Sequence, residues 1–326
     1  MNNPAKAVLL ALLMAASWWT AHFKPSETDA LSPVYSVENQ EVERVSLRSD
    51  DADIRITRKS DQYGDYLWVE STAEHTTTEP APTEEDTEAV KEVTVTKTTG
   101  FLGNASTQKV FDDLSPLVPL RYLSSDADLA EFGLNTPKST LRVHLKGTEH
   151  VIHIGDETYG AKDRYARLNE NLFLLKDSTI RLIEYGKLRL VNRALHPLSE
   201  PQIIATTVRR SDGSVRTLEQ HNAEDRTSAY WAFSGEQVEA PIAASWLGRL
   251  LKLKVQGYKI AADLPTETVP LMNIVIEDEK EKYTLDFFTD AEAQQYYAKS
   301  SHNRATVTVT KSLAVDLAKD LNALFD

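Results

Sequence analysis

The chain has 326 residues, a formal net charge of -13 and no cysteine. That length suits a membrane segment and two core-bearing units. The acidic balance argues against nucleic acid as a partner, because phosphates need a basic surface, and the missing cysteine excludes disulfides, thiolate metal sites, a Cys nucleophile and a lipoprotein cysteine.

At the N-terminus, Lys6 precedes the uncharged run AVLLALLMAASWWTAHF. At about 17 residues it is a short bilayer span. Ala15 and Ser17 suit a cleavage site, whereas Trp18 and Trp19 suit the far interface of an uncleaved anchor. Either reading exports the rest of the chain, by the positive-inside rule. Residues 1–24 are therefore expected to be a membrane anchor or signal segment, and 25–41 a polar linker with Pro25 and Pro33. The chain is expected in the bacterial inner membrane as a single-pass protein, its body in the periplasm or extracytoplasmic space.

VERVSLRS and ADIRITRK alternate apolar and polar residues, the period of a strand with one buried face. Asp50 and Asp51 suit the turn between them, and DYLWVES continues the sheet. The stretch 73–91 is acidic and rich in Thr and Pro, and is expected to be a disordered insertion because it offers too little apolar surface to offset ordering entropy. EVTVTKT resumes the strand. A helix is expected over Asn104–Leu117, then a short DLAEF helix ending at Gly133. STLRVHL and EHVIHIG make a hairpin, RYARL and NLFLLK are strands, and Asp177–Arg193 is a helix with Ile180, Ile183, Leu188 and Val191 on its core face, weakened by Gly186.

Pro197 and Pro201 mark a boundary, and the pattern then restarts. IIATTVRR, VRTLEQ and AYWAFS read as strands, AASWLGRLLKLKV as a helix, and MNIVIEDEKEKYTLDFF as a hairpin. Strands around QQYYAKS and RATVTVT come next, and SLAVDLAKDLNALFD closes the chain as a helix with Leu313, Leu317, Leu321 and Leu324 on one face. Pro137 to Tyr165 is 28 residues and Pro270 to Tyr297 is 27, so the second half reads as a weaker copy of the first. The expected fold class is α+β: two related units of mostly antiparallel sheet packed on helices, residues 42–198 and 202–326, behind the membrane helix.

Catalytic and metal motifs are sparse. GDETYGAK (Gly155–Lys162) has the wrong spacing for a phosphate loop and leads into a strand, whereas such a loop must open a helix. His144 and His153 are the best metal candidates. With a turn at Gly147 and Thr148, paired residue numbers total 295 and both histidines share a face. Two imidazoles beside Arg142 and Lys146 make a poor site. Asp112–Asp113 and Asp156–Glu157 are adjacent carboxylates, but neighbours on a helix diverge. Trp68, Trp231, Tyr165, Tyr296 and Tyr297 suit either a ligand groove or sheet-face packing, and packing is favoured. No catalytic, cofactor-binding or metal-binding residue is assigned, and no cofactor or enzymatic activity is expected.

LAEFGLNTPKSTLRVHLKG, HVIHIGDETYGAKDRYARL and NLFLLKDSTIRLI together resemble the bacterial domain of unknown function 4340 family, with Gly133, Leu134, Pro137, Gly155, Tyr165 and Arg167 at matching positions and Asn135 where an acid is usual. The resemblance covers about Val42 to Leu195 well and the second copy loosely. It implies an N-terminal membrane segment and association with envelope transporters of the ATP-binding-cassette type. The expected function is thus a membrane-anchored extracytoplasmic scaffold or accessory protein. Its expected partners are the membrane and other envelope or transporter proteins, without nucleic acid. A module for a polysaccharide or peptide is the alternative, and a cell-envelope enzyme ranks last.

Overall fold

The computed structural model describes residues 31–35, 41–50, 52–80, 90–160, 162–225 and 227–326, with backbone alone at 74–80 and 90–95. The alternating sequences build two antiparallel sheets. The first holds β1 (Val42–Ser49), β2 (Asp53–Asp61), β3 (Gly64–Pro80), β4 (Val90–Leu102), β5 (Arg121–Tyr122), β6 (Ser139–Leu145), β7 (Thr148–Glu157), β8 (Asp163–Leu168) and β9 (Asn171–Lys176). Its spatial order is β4-β3-β2-β1-β6-β7-β8-β9-β5. The second holds β10 (Ala205–Arg210), β11 (Val215–His221), β12 (Tyr230–Phe233), β13 (Val255–Lys259), β14 (Thr268–Glu277), β15 (Lys282–Asp290), β16 (Tyr296–Ser300) and β17 (Thr306–Val309). Its order is β12-β11-β10-β14-β15-β16-β17-β13. Aligning β10 with β1 and β14 with β6 makes the two orders coincide, and the second sheet simply lacks a counterpart of β4.

The helices fall at matching places. In the first half α1 (Ala105–Asp113) precedes β5, and α2 (Asp177–Glu184) with α3 (Lys187–Leu190) follows β9. In the second, α4 (Pro241–Lys252) precedes β13, and α5 (Lys311–Lys319) follows β17. α1 starts where Asn104 Oδ1 accepts from the amides of Ser106 (2.8 Å) and Thr107 (3.3 Å), while Thr107 Oγ1 accepts from the Asn104 amide at 3.2 Å. This reciprocal cap satisfies amides that have no partner within the helix.

One face of each sheet packs on its helices. Val45, Leu47, Ile56, Leu141 and Val143 are fully buried in the first, as are Val208, Leu218 and Ile274 in the second. The two cores join into one cluster. At the seam, Phe101 and Trp68 pack against Tyr258 with ring centroids 6.2 and 6.3 Å apart.

Several elements differ from the sequence reading. No helix among the described residues is long and apolar enough to cross a membrane. The longest of them, α4, has 12 residues, against the roughly 20 apolar residues a span requires. The membrane helix expected at 1–24 lies outside the described residues, so the fold is corrected to two sheets with short amphipathic helices and, among the described residues, no span. Single-pass inner-membrane topology, an extracytoplasmic body and the membrane as a partner rested on that helix, and the described residues give them no support; the expected transporter association rested on the family resemblance alone.

The stretch expected as a disordered insertion at 73–91 is strand at both ends. The β3–β4 ladder runs from Ala73↔Lys97 to Pro80↔Val90, and residues 81–89 lie outside the described residues. Its threonines favour a pleated backbone despite their polarity. The helix expected over Asp177–Arg193 breaks at Gly186, whose φ is +44° and where a Cβ would come within 2.7 Å of Ile54 Cδ1. The break rephases the following turn, so Leu188 is exposed and Leu190 is buried. DLAEF forms turns ending at Gly133, not a helix. The helix expected over AASWLGRLLKLKV ends at Lys252, and β13 begins at Val255, the last residue of that run.

Candidate functional site

The residues first considered for chemistry do not converge. The β6–β7 hairpin turns at Lys146–Gly147, because Gly147 takes a φ of +80°. This sets His144 opposite Glu149 and His153 opposite Thr140, so paired numbers total 293. A two-residue shift keeps both histidines on the open face but separates them by four residues, about 13 Å along the strand. His144 Nε2 lies 3.7 Å from Glu43, and His153 neighbours Arg167. No group of three metal-ligating side chains occurs among the described residues.

The acidic pairs are occupied. Asp112 accepts from Gln108 Nε2 at 2.8 Å. Asp113 binds Lys109 at 2.7 Å and accepts from Thr179 Oγ1 at 2.8 Å, which ties α1 to α2. Asp156 pairs with Lys138 at 2.8 Å. Glu157 joins a network that fixes α2 to the sheet: Arg164 Nε meets Asp177 at 2.5 Å, Arg164 also reaches Glu157 (3.2 Å) and Glu184 (3.3 Å), and Arg181 spans Glu157 and Asp177. Arg164 and Asp177 are buried. Burial raises the Glu184 carboxyl above its ordinary range, against the pull of Arg164. A buried pair of this kind orients a helix and strands a charge if either partner is lost.

The Gly155–Lys162 segment is the connection between β7 and β8, closed by the Thr158 amide donating to Asp163 O at 2.9 Å. Gly155 is needed for close packing, since a Cβ there would sit 2.1 Å from Phe132 O. The aromatics pack. Tyr165 stacks on Phe132 at 4.3 Å and Tyr297 on Phe288 at 5.4 Å, while Trp231, Tyr296 and Tyr297 are buried. Trp68 lies over Gly100, where a Cβ would meet its ring at 2.9 Å.

A groove of about 290 Å³ runs along the junction, with Tyr63, Tyr66, Tyr283, His302 and Arg304 in its lining. Arg304 occupies its first-half wall: the guanidinium lies 5.5 Å from the Tyr63 ring centroid and 5.1 Å from that of Tyr66, and bonds Asp61 at 3.2 Å. Beneath it, the fully buried Asn303 donates to Ala194 O at 2.8 Å and to Tyr258 Oη at 3.3 Å, and Tyr258 Oη donates to Asn192 O at 2.9 Å. Burial, then Lys254, holds His196 down to about 4. Burial, then Arg304, does the same to His302. These groups fasten the halves together.

The surface with unspent chemistry is the open face of the first sheet. On β1, Ser46 faces out between Arg44 and Arg48, while Val45 and Leu47 are buried behind. Ser46 pairs with Arg142 on β6 and Arg55 on β2. Four arginines therefore surround one small residue, about 5 Å away across strands and about 7 Å along β1. Arg142 bonds Glu149 at 3.0 Å and Arg55 reaches Glu70 at 3.9 Å. Arg48 stands across from Asp53. Among the described residues no carboxylate lies within 4.0 Å of Arg44 or Arg48. A depression of about 610 Å³ continues this face past Arg44, Lys59, His144 and Lys146, with Glu41, Glu43 and Asp65 also lining it. The arginines were visible in the sequence as the polar positions of VERVSLRS, DIRITRK and TLRVHL, but their clustering depends on β6 pairing with β1 across some ninety residues.

The sheet edges are closed in part. The β12 carbonyls of Trp231 and Phe233 accept from the amides of Ala240 (2.7 Å) and Glu236 (2.9 Å). The linker meets one end of β4 and one end of β13, with the Asn192 amide donating to Leu102 O at 2.8 Å and the Val255 amide to Arg193 O at 2.9 Å. β5 is two residues long. Capped or short edges resist strand addition, whereas β4 is the outer strand of the first sheet and pairs with β3.

No curated protein and no solved structure matches the chain. Residues 121–270 match the family model described as Domain of unknown function (DUF4340), a stretch running from β5 to the start of β14 that takes in the later part of the first sheet, the linker and the opening of the second sheet.

Proposed function

We propose that this body is a non-enzymatic interaction scaffold formed by two repeated units, 42–198 and 202–326, and that it binds through the open face of the first sheet. The observation that carries the reading is the ring of arginines around Ser46 on a hydrogen-bonded three-strand frame. Buried ionic and polar groups elsewhere serve packing: the Arg164 network holds α2, and Asn303 with Tyr258 holds the junction. A rigid frame presenting charged side chains at fixed spacing favours recognition over chemistry.

The test is rescue of a deletion strain. Alanine at His144, His153, Asp112 or Asp156 is expected to rescue as wild type. Arg44→Glu with Arg48→Glu is expected to fail while the purified protein keeps its circular dichroism and melting temperature. If a single histidine or carboxylate proves essential in a folded variant, an enzyme replaces the scaffold.

A further inference from the structure

We propose that the arginine ring around Ser46 is a docking site for an extended acidic segment of a protein partner. This rests on the scaffold reading and names the partner's chemistry. Guanidinium groups bind carboxylates in a planar, two-pronged geometry that lysine does not reproduce. Four of them surround Ser46, whose short side chain leaves the centre of the ring low. Carboxylates on alternate residues of an extended peptide repeat at about 7 Å, the spacing of Arg44, Ser46 and Arg48 along β1. Glu70 and Glu149 already hold the outer members of the ring at exchangeable distances, so an incoming carboxylate replaces like with like.

Charge selects the class of partner. The chain carries -13 overall, so its basic face is a local exception. Surface charges act over about 10 Å at ordinary salt. The middle of a short acidic peptide lies within that range of the ring, and only its two ends project past it. A duplex or an anionic bilayer extends past it and meets the acidic remainder of the molecule. Binding to the ring is therefore expected to be salt-sensitive and specific for compact carboxylate-bearing segments.

The full chain is titrated into fluorescein-labelled decaglutamate, with an oligothymidylate and phosphatidylserine vesicles as competing probes. Wild type is expected to bind the peptide at low salt and to weaken as salt rises. Arg44→Glu with Arg48→Glu is expected to weaken binding at least about tenfold. Ser46→Glu, which places a carboxylate inside the ring, is expected to do the same without lowering the melting temperature. Arg209→Glu with Lys299→Glu, on the second sheet, is expected to change nothing. The proposal is overturned if wild type does not bind decaglutamate, if the second-sheet variant weakens binding equally, or if the oligonucleotide or vesicles bind more tightly than the peptide. Absent peptide binding combined with failed rescue by the Arg44 and Arg48 reversal would remove the acidic partner and keep the scaffold. Full rescue by that reversal would remove the scaffold's use of this face as well.

Discussion

The two sheets share a strand order but not a surface. Around Ser46 the first presents Arg44, Arg48, Arg55 and Arg142. Around Thr207, the matching position of the second, stand Ala205, Arg209, Thr217 and Val275. The second face also satisfies itself: Asn273 donates to Asp286 at 2.8 Å, Lys282 pairs with Glu277 at 2.8 Å, Thr207 and Thr217 share a hydrogen bond at 3.0 Å, and Phe288 stacks on Tyr297. The inner faces of both are apolar and buried. Strand order is thus set by the buried alternation, while the outward positions are free to differ. In the first sheet they include Arg44 and Arg48, which among the described residues have no carboxylate within 4.0 Å; in the second they hold the sheet together.

The comparison breaks first if the halves do not share a core. Trp246, fully buried with Nε1 donating to Leu317 O at 3.1 Å, anchors α4. Phe111 is its counterpart on α1. Changing either to alanine is expected to cost about 3–5 kcal/mol. Because the cores meet at Phe101 and Tyr258, calorimetry should show one transition for both variants. Two separate transitions would divide the molecule.

A difference between the halves appears at Arg164, which holds Asp177 and Glu184 in the first unit. Arg164→Ala removes the buried cation from Asp177, leaving the half-exposed Arg181 as its remaining partner, and is expected to cost about 3 kcal/mol. Urea unfolding measures it, and hydrogen exchange should place the loosening at α2 and not at α5.

Acid should act on the seam. His196 and His302 are held from 6.5 down to about 4, mainly by burial. The unfolded chain therefore takes up these protons first. Their contribution to stability is complete above pH 6.5 and is lost as pH falls toward 4, by on the order of 2–3 kcal/mol for each histidine. Comparing urea midpoints between pH 7 and pH 4.5 checks this, and His196→Gln with His302→Gln should flatten the dependence. A smaller effect is expected at Asn303. Its alanine variant removes the donor to Ala194 O and the acceptor of the Ser300 hydroxyl proton, for about 1–3 kcal/mol in the same assay.

Most of the frame was legible, because alternation in VERVSLRS or TLRVHL and the spacing of apolar residues in AASWLGRLL report burial directly. The repeat could be read for the same reason. What was not legible depended on contacts distant in sequence. Thr-rich residues beside the acidic insertion gave no apolar signal, yet β3 and β4 pair through them. β13 begins at Val255, the last residue of the run expected as helix, and its sequence VQGYK carries only two apolar side chains with a glycine between them, so its pairing with β17 is what defines it as a strand. The hairpin register moved by two residues on the φ of one glycine, which was enough to part His144 from His153. The arginine ring combines three strands from two distant stretches of chain, so each arginine was visible while their meeting was not.

The central claim is that two frames of matching strand order carry different chemistry on their open faces, and transplanting the ring tests it most directly. Arg209 already occupies one of the four places around Thr207. Ala205→Arg, Thr217→Arg and Val275→Arg would complete the ring on the second sheet of a chain whose first ring is disabled by Arg44→Glu and Arg48→Glu. Titration with labelled decaglutamate is predicted to show binding restored to within about tenfold of wild type, with Ser46→Glu no longer having an effect. A folded variant that binds no better than the disabled chain would contradict the account.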